Sequence, residues 1–501
     1  MSQVVLKSSP VIQQISFADS LSFKPQVQEI KKVAAIADLQ MYAVRTKLWT
    51  DNESVWGKIR RDLSYDTFQD GRFQVGYAID GNGWFGTGLV PRVYNSLKEM
   101  GIEPQITNHI PQYSRNVLST FERNPRDFQE EGANSFIRNR YSLLRAPVRT
   151  GKTTTIALAF HKLSLDKVLF VCSSEENYEQ AMDTFNDILD GFVVGGLKAS
   201  VRQIDCDIVV AMRQTIASWL KDDEENAAMW LASRKVLCLD ECHEGAGDQI
   251  QKIAEFCSGT SYRMGMSATP LDRGDGLNIF TESAFGPIGY EVSYTYAIDQ
   301  GFIVPPKFLV FDVSPRYFDE KGYNGMVGRR KLYQKVEKEY IVENQERNQV
   351  VADFCAWRNR AGFPVLVLVD TILHGEILQK KIPDAEFIQG TTPDRKLQWK
   401  RFIDGKIPVV ISTVANQAVD LPPIQNIFLA AGGKSPILAF QRQRGLTAYS
   451  GKTECLVGYF YDRALFLEDH SEANLKLWSK EPRFKIELIA DPISFFKEVT
   501  K

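Results

Sequence analysis

The stretch Lys235-Val236-Leu237-Cys238-Leu239-Asp240-Glu241-Cys242-His243 decides the fold. An unbroken apolar run leads straight into an acidic pair. Such a run marks a strand buried on both faces, as in a parallel sheet covered by helices. Carboxylates at its carboxyl end stand where open α/β sheets bind their ligands. The run belongs to a series: YSLLRAPV (141–148), KVLFVCSS (167–174), DIVVAM (207–212) and YRMGMSAT (262–269), with helical spacing between them. A second series follows residue 345: PVLVLVD, EFIQG, PVVISTV, NIFLAAG and TECLVGYFYD. Two α/β units, joined near GFIVPPKFLVFDV (301–313), imply a duplicated nucleotide-binding architecture. The polar stretch 314–346, with Arg329, Arg330, Lys331, Lys335 and Lys338, reads as a solvated helix and loop between the domains.

Composition sets the outer limits. The chain has 501 residues, 44% hydrophobic and 24% charged, which excludes collagen-like, low-complexity and wholly disordered chains. At ~150 residues per domain the length gives roughly three domains. A net charge of -2 excludes a polycation, so any nucleic-acid contact must come from a local groove. The seven cysteines are scattered with no C-x-x-C pair, which speaks against a disulfide framework. The first residues lack a signal-peptide layout, and no apolar run approaches ~18 residues. A cytoplasmic protein with no membrane partner is expected.

Ahead of both series, residues 1–119 read as a small α+β domain. Ile79-Asp80-Gly81-Asn82-Gly83 is a turn signal between strand-like runs, and VPRVYNSLKEMG is a helix stopped at Gly101. Trp84 and Phe85 either stack on an unpaired base or fold inward. The domain is accordingly a substrate-recognition module or a packing cap.

The chemistry begins at Ala146-Pro147-Val148-Arg149-Thr150-Gly151-Lys152-Thr153, between a strand and the helix TTTIALAFHKL. A phosphate needs backbone N–H donors at a helix N-terminus, a lysine for the β/γ oxygens and a hydroxyl for Mg²⁺. Thr150, Gly151, Lys152, Thr153 and Thr154 supply these parts. The glycine that opens the usual pattern is replaced by Ala146. Eighty-eight residues after Lys152 comes Asp240. On a strand expected beside the phosphate loop, Asp240 would hold Mg²⁺ and Glu241 would polarise the attacking water. Cys238, Cys242 and His243 lack a nearby fourth ligand, so zinc is not expected.

In this order GKT, DECH and Ser267-Ala268-Thr269 resemble motifs I, II and III of the superfamily-two helicases. Arg126-Asp127-Phe128-Gln129 is similar to the adenine-reading motif, with Gln129 on the base edge. His374-Gly375 with Leu378 resembles motif IV, and 411–413 through Asp420 resembles motif V. Gln441-Arg442-Gln443-Arg444 stands where motif VI belongs. The stretch before the motifs resembles the N-terminal domain of UvsW-type phage helicases. The resemblance implies two tandem RecA-like domains with parallel sheets, at 120–303 and 304–501, behind the N-terminal domain. It implies ATP and Mg²⁺, with Thr153 and Asp240 as metal ligands. Asp420, Arg442 and Arg444 would reach the nucleotide across the cleft. The partner would be single-stranded or branched DNA, held mainly at its backbone by a protein taken as a monomer in the host cytoplasm.

The sequence departs from that pattern at defined places. Arg149 replaces a motif I glycine, and Gln417 and Ala418 replace an acidic residue and a glycine of motif V. In motif VI glycine and arginine are transposed, and the last arginine is Ala448. A one-residue slip would bring Arg444 to the γ-phosphate. The alternative is a nucleic-acid-binding or annealing protein whose ATPase is weak or decayed.

Overall fold

The computed structural model describes residues 37–69, 72–273, 276–323, 325–413, 424–432 and 446–499. Asp420, Arg442 and Arg444 lie outside the described residues, as does the rest of 414–423 and 433–445.

The first α/β unit carries one sheet, with Val201–Arg202 at its edge. Then come Val194–Lys198, Ile208–Met212, Val168–Cys172, Val236–Asp240, Tyr262–Ser267, Tyr141–Arg145 and Ile288–Glu291. Only the Val201–Arg202 edge pairs antiparallel; the other pairings are parallel. The second sheet runs Ala385–Ile388, Val409–Ser412, Val365–Leu368, Asn426–Leu429, Cys455–Tyr461, Pro306–Asp312 and Lys485–Ile489, all parallel. Leaving out the antiparallel edge Val201–Arg202 and counting in chain order among the described residues, both sheets read third, fourth, second, fifth, sixth, first, seventh. The duplication expected from the apolar runs is therefore real at the level of topology. These are two RecA-like units.

Two expectations about placement are corrected. The acidic strand Val236–Asp240 does not adjoin the strand leading to the phosphate loop; Tyr262–Ser267 lies between them. Order along the chain does not give order across a parallel sheet, because each crossover skips freely. The charged stretch 314–346 is not an interdomain loop. It follows the strand Pro306–Asp312, forms the helix Gly325–Val336 and the wider-wound turn Glu337–Val342, and buries Leu332, Val336 and Tyr340 in the second unit.

The strands read as continuous apolar runs because both faces are covered. Val168–Cys172 and Val236–Asp240 are buried at every position, each large aliphatic side chain contributing about 1.5–3 kcal/mol. No helix among the described residues is long and apolar enough to cross a membrane.

The N-terminal unit is a four-stranded sheet, Trp84–Gly86, Arg45–Trp49, Asp38–Met41 and Gln105–Asn108, with helices Glu53–Asp62 and Val90–Glu99. The expected turn forms: Asp80 Oδ1 accepts from Asn82 N at 2.9 Å and Trp84 N at 3.0 Å. Phe85 is core, whereas Trp84 is half-buried beneath Lys47 and beside Tyr42, as strand alternation requires. The unit is seated on the helix Asn278–Phe285. A Cβ on Gly88 would fall 2.0 Å from Glu282 O, Arg92 pairs with Glu282, and Tyr141 Oη donates to Ala43 O at 2.6 Å. These contacts seat the small unit on the first α/β unit.

In the second unit His374 and Gly375 face inward. A Cβ on Gly375 would lie 2.3 Å from the Phe387 ring. Asn348 Nδ2 donates to Val342 O at 2.9 Å, which leaves Asn348 Oδ1 to accept from His374 Nε2 at 3.0 Å. Burial first, then the Arg347 charge, push the His374 pKa down to about 3. The unfolded imidazole titrates near ~6.5. Between those values the unfolded chain binds a proton that the folded one does not, so stability falls as pH falls. We expect about 2 kcal/mol to be lost through this group between pH 7.5 and 5. Urea unfolding across that range should show the slope flattened in His374→Gln, and an equal slope would remove His374 as its source.

Candidate active site

The loop between Tyr141–Arg145 and the helix Lys152–Leu163 turns on two residues of positive φ. Gly151 stands at φ 87°, and a Cβ there would lie 2.6 Å from Gln129 Nε2. Arg149, the replacement for a glycine, nevertheless keeps a glycine-like φ of 68°. That conformation costs an L-residue about 1–2 kcal/mol. Thr150 is fully buried and turns its hydroxyl onto Pro147 O at 2.8 Å, closing the loop on itself.

No side chain caps the Lys152–Leu163 helix. The first N–H groups of a helix have no intrahelical acceptor, and with the helix dipole they form an anion site. Thr153 and Thr154 are half-buried in that first turn, and Thr155 Oγ1 donates back to Gly151 O at 3.2 Å.

Across from it stand the two carboxylates. Asp240 Oδ1 accepts from Glu241 N at 2.9 Å, and Oδ2 accepts from Asn177 Nδ2 at 2.8 Å. Glu241 adopts φ 47°, which swings its side chain away from Asp240 toward Ser267 and His243. Its Oε2 accepts from Ser267 Oγ at 3.1 Å and lies 3.3 Å from His243 Nδ1. Ser267 Oγ also accepts from Thr269 N at 3.1 Å and sits 3.1 Å from His243 Nδ1. With the serine proton on Glu241, that imidazole nitrogen must carry a proton of its own. Ser267 O accepts from Ala146 N at 3.1 Å, so the same residue fixes the start of the phosphate loop.

The electrostatics divide the pair. Burial, and then the Glu241 charge, push the Asp240 carboxyl up, against the pull of Lys152. Burial also opposes ionisation of Glu241. There the His243 hydrogen bond, the Lys152 and His243 charges and the Ser267 hydroxyl outweigh it and hold the carboxyl down. Glu241 is therefore the more acidic of the two.

Gln129 is buried over the loop. Its Oε1 accepts from Arg126 N at 3.0 Å, and its Nε2 donates to Thr150 O and Gly151 O, each at 3.4 Å. Arg126 Nη1 donates to Thr150 O at 3.3 Å, and its guanidinium lies 4.0 Å from the centre of the Phe302 ring. Of the residues singled out from the sequence, Arg126, Gln129, Thr150, Gly151, Lys152, Thr153, Thr154, Asp240 and Glu241 thus gather at one end of the first sheet.

The residues present suit Mg²⁺ carried in on a nucleotide. No group of three or more His, Cys, Asp or Glu among the described residues is placed to hold a metal alone. One carboxylate and one hydroxyl are hard oxygen donors, and Mg²⁺ commonly binds through so few protein ligands, keeping waters and substrate phosphates.

Asn177 escaped the sequence reading. It stands in the first turn of the helix Glu175–Ile188, where Ser174 caps its N–H at 3.2 Å, and nothing in its neighbourhood announces a link to Asp240, 63 positions on. Removing such a partner of a metal-ligating carboxylate typically costs about 10–100-fold in metal affinity or activity. Asn177→Leu should raise by that order the Mg²⁺ concentration giving half-maximal nucleotide hydrolysis, read by metal titration. An unchanged midpoint would show that Asp240 needs no such support.

Residues 122–272 match the family described as Type III restriction enzyme, res subunit. No curated protein sequence matches the chain significantly. Among solved structures, UvsW of bacteriophage T4 is 16% identical, with 91% of this chain and 99% of that one covered, at a TM-score of 0.42. S. cerevisiae Dbp5 bound to RNA and ADP BeF3 is 14% identical over 76% of this chain and 95% of that one, at 0.51. The ATP-dependent Type ISP restriction-modification enzyme LlaBIII, bound to DNA, is 13% identical over 82% of this chain and 35% of that one, at 0.50. The chain has the fold of the superfamily-two helicases.

Proposed function

We propose that this chain is an ATP-dependent DNA helicase or a translocase that remodels branched DNA, hydrolysing ATP between its units at 120–303 and 304–501. One observation carries the reading. An uncapped helix N-terminus bearing Lys152 faces two carboxylates whose ionised forms the Lys152 charge favours, and the hydrogen bonds of His243 and Ser267 fix the second of them, Glu241, in place. A phosphate chain fits the first feature, and a water-polarising base fits the second.

In this reading the Gly151 to Thr154 N–H groups cradle the phosphates and Lys152 neutralises their outer oxygens. Thr153 and Asp240 are the residues that would hold Mg²⁺, whose charge would offset the charge on the β and γ oxygens. Glu241 orients the attacking water, its own orientation fixed by Ser267 and His243. Gln129 and Arg126 stand on the base side. Asp420, Arg442 and Arg444 are assigned to the second unit's side of the nucleotide. Closure on ATP and reopening after hydrolysis would step the two units along the strand. The choice of DNA over RNA rests on the sequence resemblance to UvsW-type helicases, and fold neighbours of both kinds exist. The deciding experiment is an ATPase titration with single-stranded, duplex and forked DNA and with RNA; stimulation by RNA alone would overturn the DNA reading.

Two substitutions test the chemistry. Glu241→Gln should retain ATP binding while turnover falls by about 100-fold or more, and near-normal turnover would mean that another group orients the water. Arg444→Ala should cost about 100-fold or more in DNA-stimulated turnover, equivalent to about 2.7 kcal/mol. Arginines reaching the γ-phosphate contribute on this scale, and the guanidinium fork suits phosphate oxygens. An unchanged rate would remove Arg444 from that role and favour the weak-ATPase alternative.

A further inference from the structure

The passage between the two sheets is built around Phe302. It follows the short helix Tyr294–Asp299, whose buried residues Tyr294 and Ala297 belong to the core of the second unit. Gly301, at φ 70°, turns the chain, and Phe302 N donates to Ala297 O at 2.9 Å. The Phe302 ring then packs against both cores at once. On the first-unit side it touches Phe128, with ring centres 5.5 Å apart, and carries the Arg126 guanidinium at 4.0 Å. On the second-unit side its backbone joins the tail of the motif VI segment. Ile303 bridges Thr447, Val304 N donates to Leu446 O at 2.8 Å, and Ala448 N donates to Phe302 O at 3.4 Å. Leu446 is itself fully buried, which anchors that tail.

We propose that Phe302 is a positioning residue that couples the base side of the phosphate loop to the second α/β unit. Its ring holds Arg126, and its backbone holds 446–448. The inference rests on the nucleotide reading above and adds a physical connection to it. Arg126 donates to Thr150 O in the phosphate loop, so a continuous path runs from Thr150 through Arg126 and Phe302 to Ala448. A guanidinium held over an aromatic face by cation–π attraction is fixed in position. Arg126 is otherwise exposed, so its outer face is open to a purine. A base stacked there fixes Arg126 on Phe302. Through the backbone pairing it also fixes the connector against the second unit. Spatial continuity alone does not establish coupling, so the test must measure coupling itself.

The experiment uses the full chain and its Phe302→Ala, Phe302→Leu, Phe302→Tyr and Arg126→Ala variants. The probes are ATP, UTP and inorganic tripolyphosphate, with and without forked DNA. Phe302→Leu fills the same apolar space without a ring and covers the case in which the alanine variant fails to fold. The wild type should hydrolyse ATP with a lower KM than UTP, and ATP should raise its Tm more than tripolyphosphate does. Loss of the ring should raise the KM for ATP by about tenfold, within the range of a partly desolvated cation–π contact. The KM for UTP should move less, DNA stimulation should fall, and Phe302→Tyr should restore both. Adding Phe302→Leu to Arg126→Ala should cost nothing further in KM. A KM ratio and DNA stimulation equal to wild type in Phe302→Leu would overturn the inference and leave the helicase reading standing. So would equal losses for ATP and UTP together with a lowered Tm, the mark of a packing role alone. A wild-type chain that neither hydrolyses ATP nor is stabilised by it would overturn both.

Discussion

Two carboxylates on consecutive residues at the end of a buried strand repel each other, and the site is organised around that repulsion. At ~4 Å in a medium of effective permittivity ~20, two like charges cost about 4 kcal/mol, close to a third or more of a typical domain's net stability. The chain meets this cost by geometry first. Glu241 takes a left-handed conformation, so Asp240 turns to Asn177 while Glu241 turns to Ser267 and His243. It meets the remainder by charge, since Lys152 stabilises the ionised form of both. The strained backbone at Glu241 is the local cost of keeping both acids in one site.

The strand Tyr262–Ser267 gains its importance from the same constraint. It separates the acidic strand from the strand of the phosphate loop, so anything that aligns the two must pass through it. Ser267 does so with two atoms: its carbonyl accepts from Ala146 and its hydroxyl serves Glu241. A small hydroxyl residue is required there because the position is fully buried and each of its polar groups already has a partner. In sequence alone the Ser-Ala-Thr turn carries little information, because turns favour Ser and Thr in any case. Its weight comes from sheet order, which the sequence does not encode locally.

Periodicity carried the broad fold. The continuous apolar runs became buried parallel strands, Gly101 ended its helix at φ 74°, and Asp80 built the turn read from Ile79 to Gly83. The placement of Gly151 to Thr153 at a helix start and of Asp240 at a strand end was legible because the expected chemistry needs particular residues at the ends of particular elements. Asn177 and Phe302 were not. An asparagine in a helix's first turn has an adequate local explanation, and a phenylalanine after a glycine looks like ordinary core. Each acquires its role from a partner far away in sequence, Asp240 for one and Arg126 with Ala448 for the other. The charged stretch after Asp312 misled for the related reason that its polar majority concealed Leu332, Val336 and Tyr340 at helical spacing.

The two α/β units share one strand order, yet they are not equivalent in chemistry. In the first, the loop after the opening strand ends in Gly151 and an uncapped helix that favours anions. In the second, the opening strand Pro306–Asp312 ends beside a cavity lined by Asp312, Glu346, Asp353 and Asp491. The arginine lining that cavity, Arg463, is engaged with Asp312 through two hydrogen bonds of 2.7 Å. A pocket with this balance of charge repels phosphate rather than gathering it. The topology that ends in an uncapped, anion-favouring helix start in one unit thus ends in an acidic cavity in the other. The second unit's part in any nucleotide chemistry must then come from elsewhere on it. The backbone pairing of 446–448 with 302–304 ties one such segment directly to the connector.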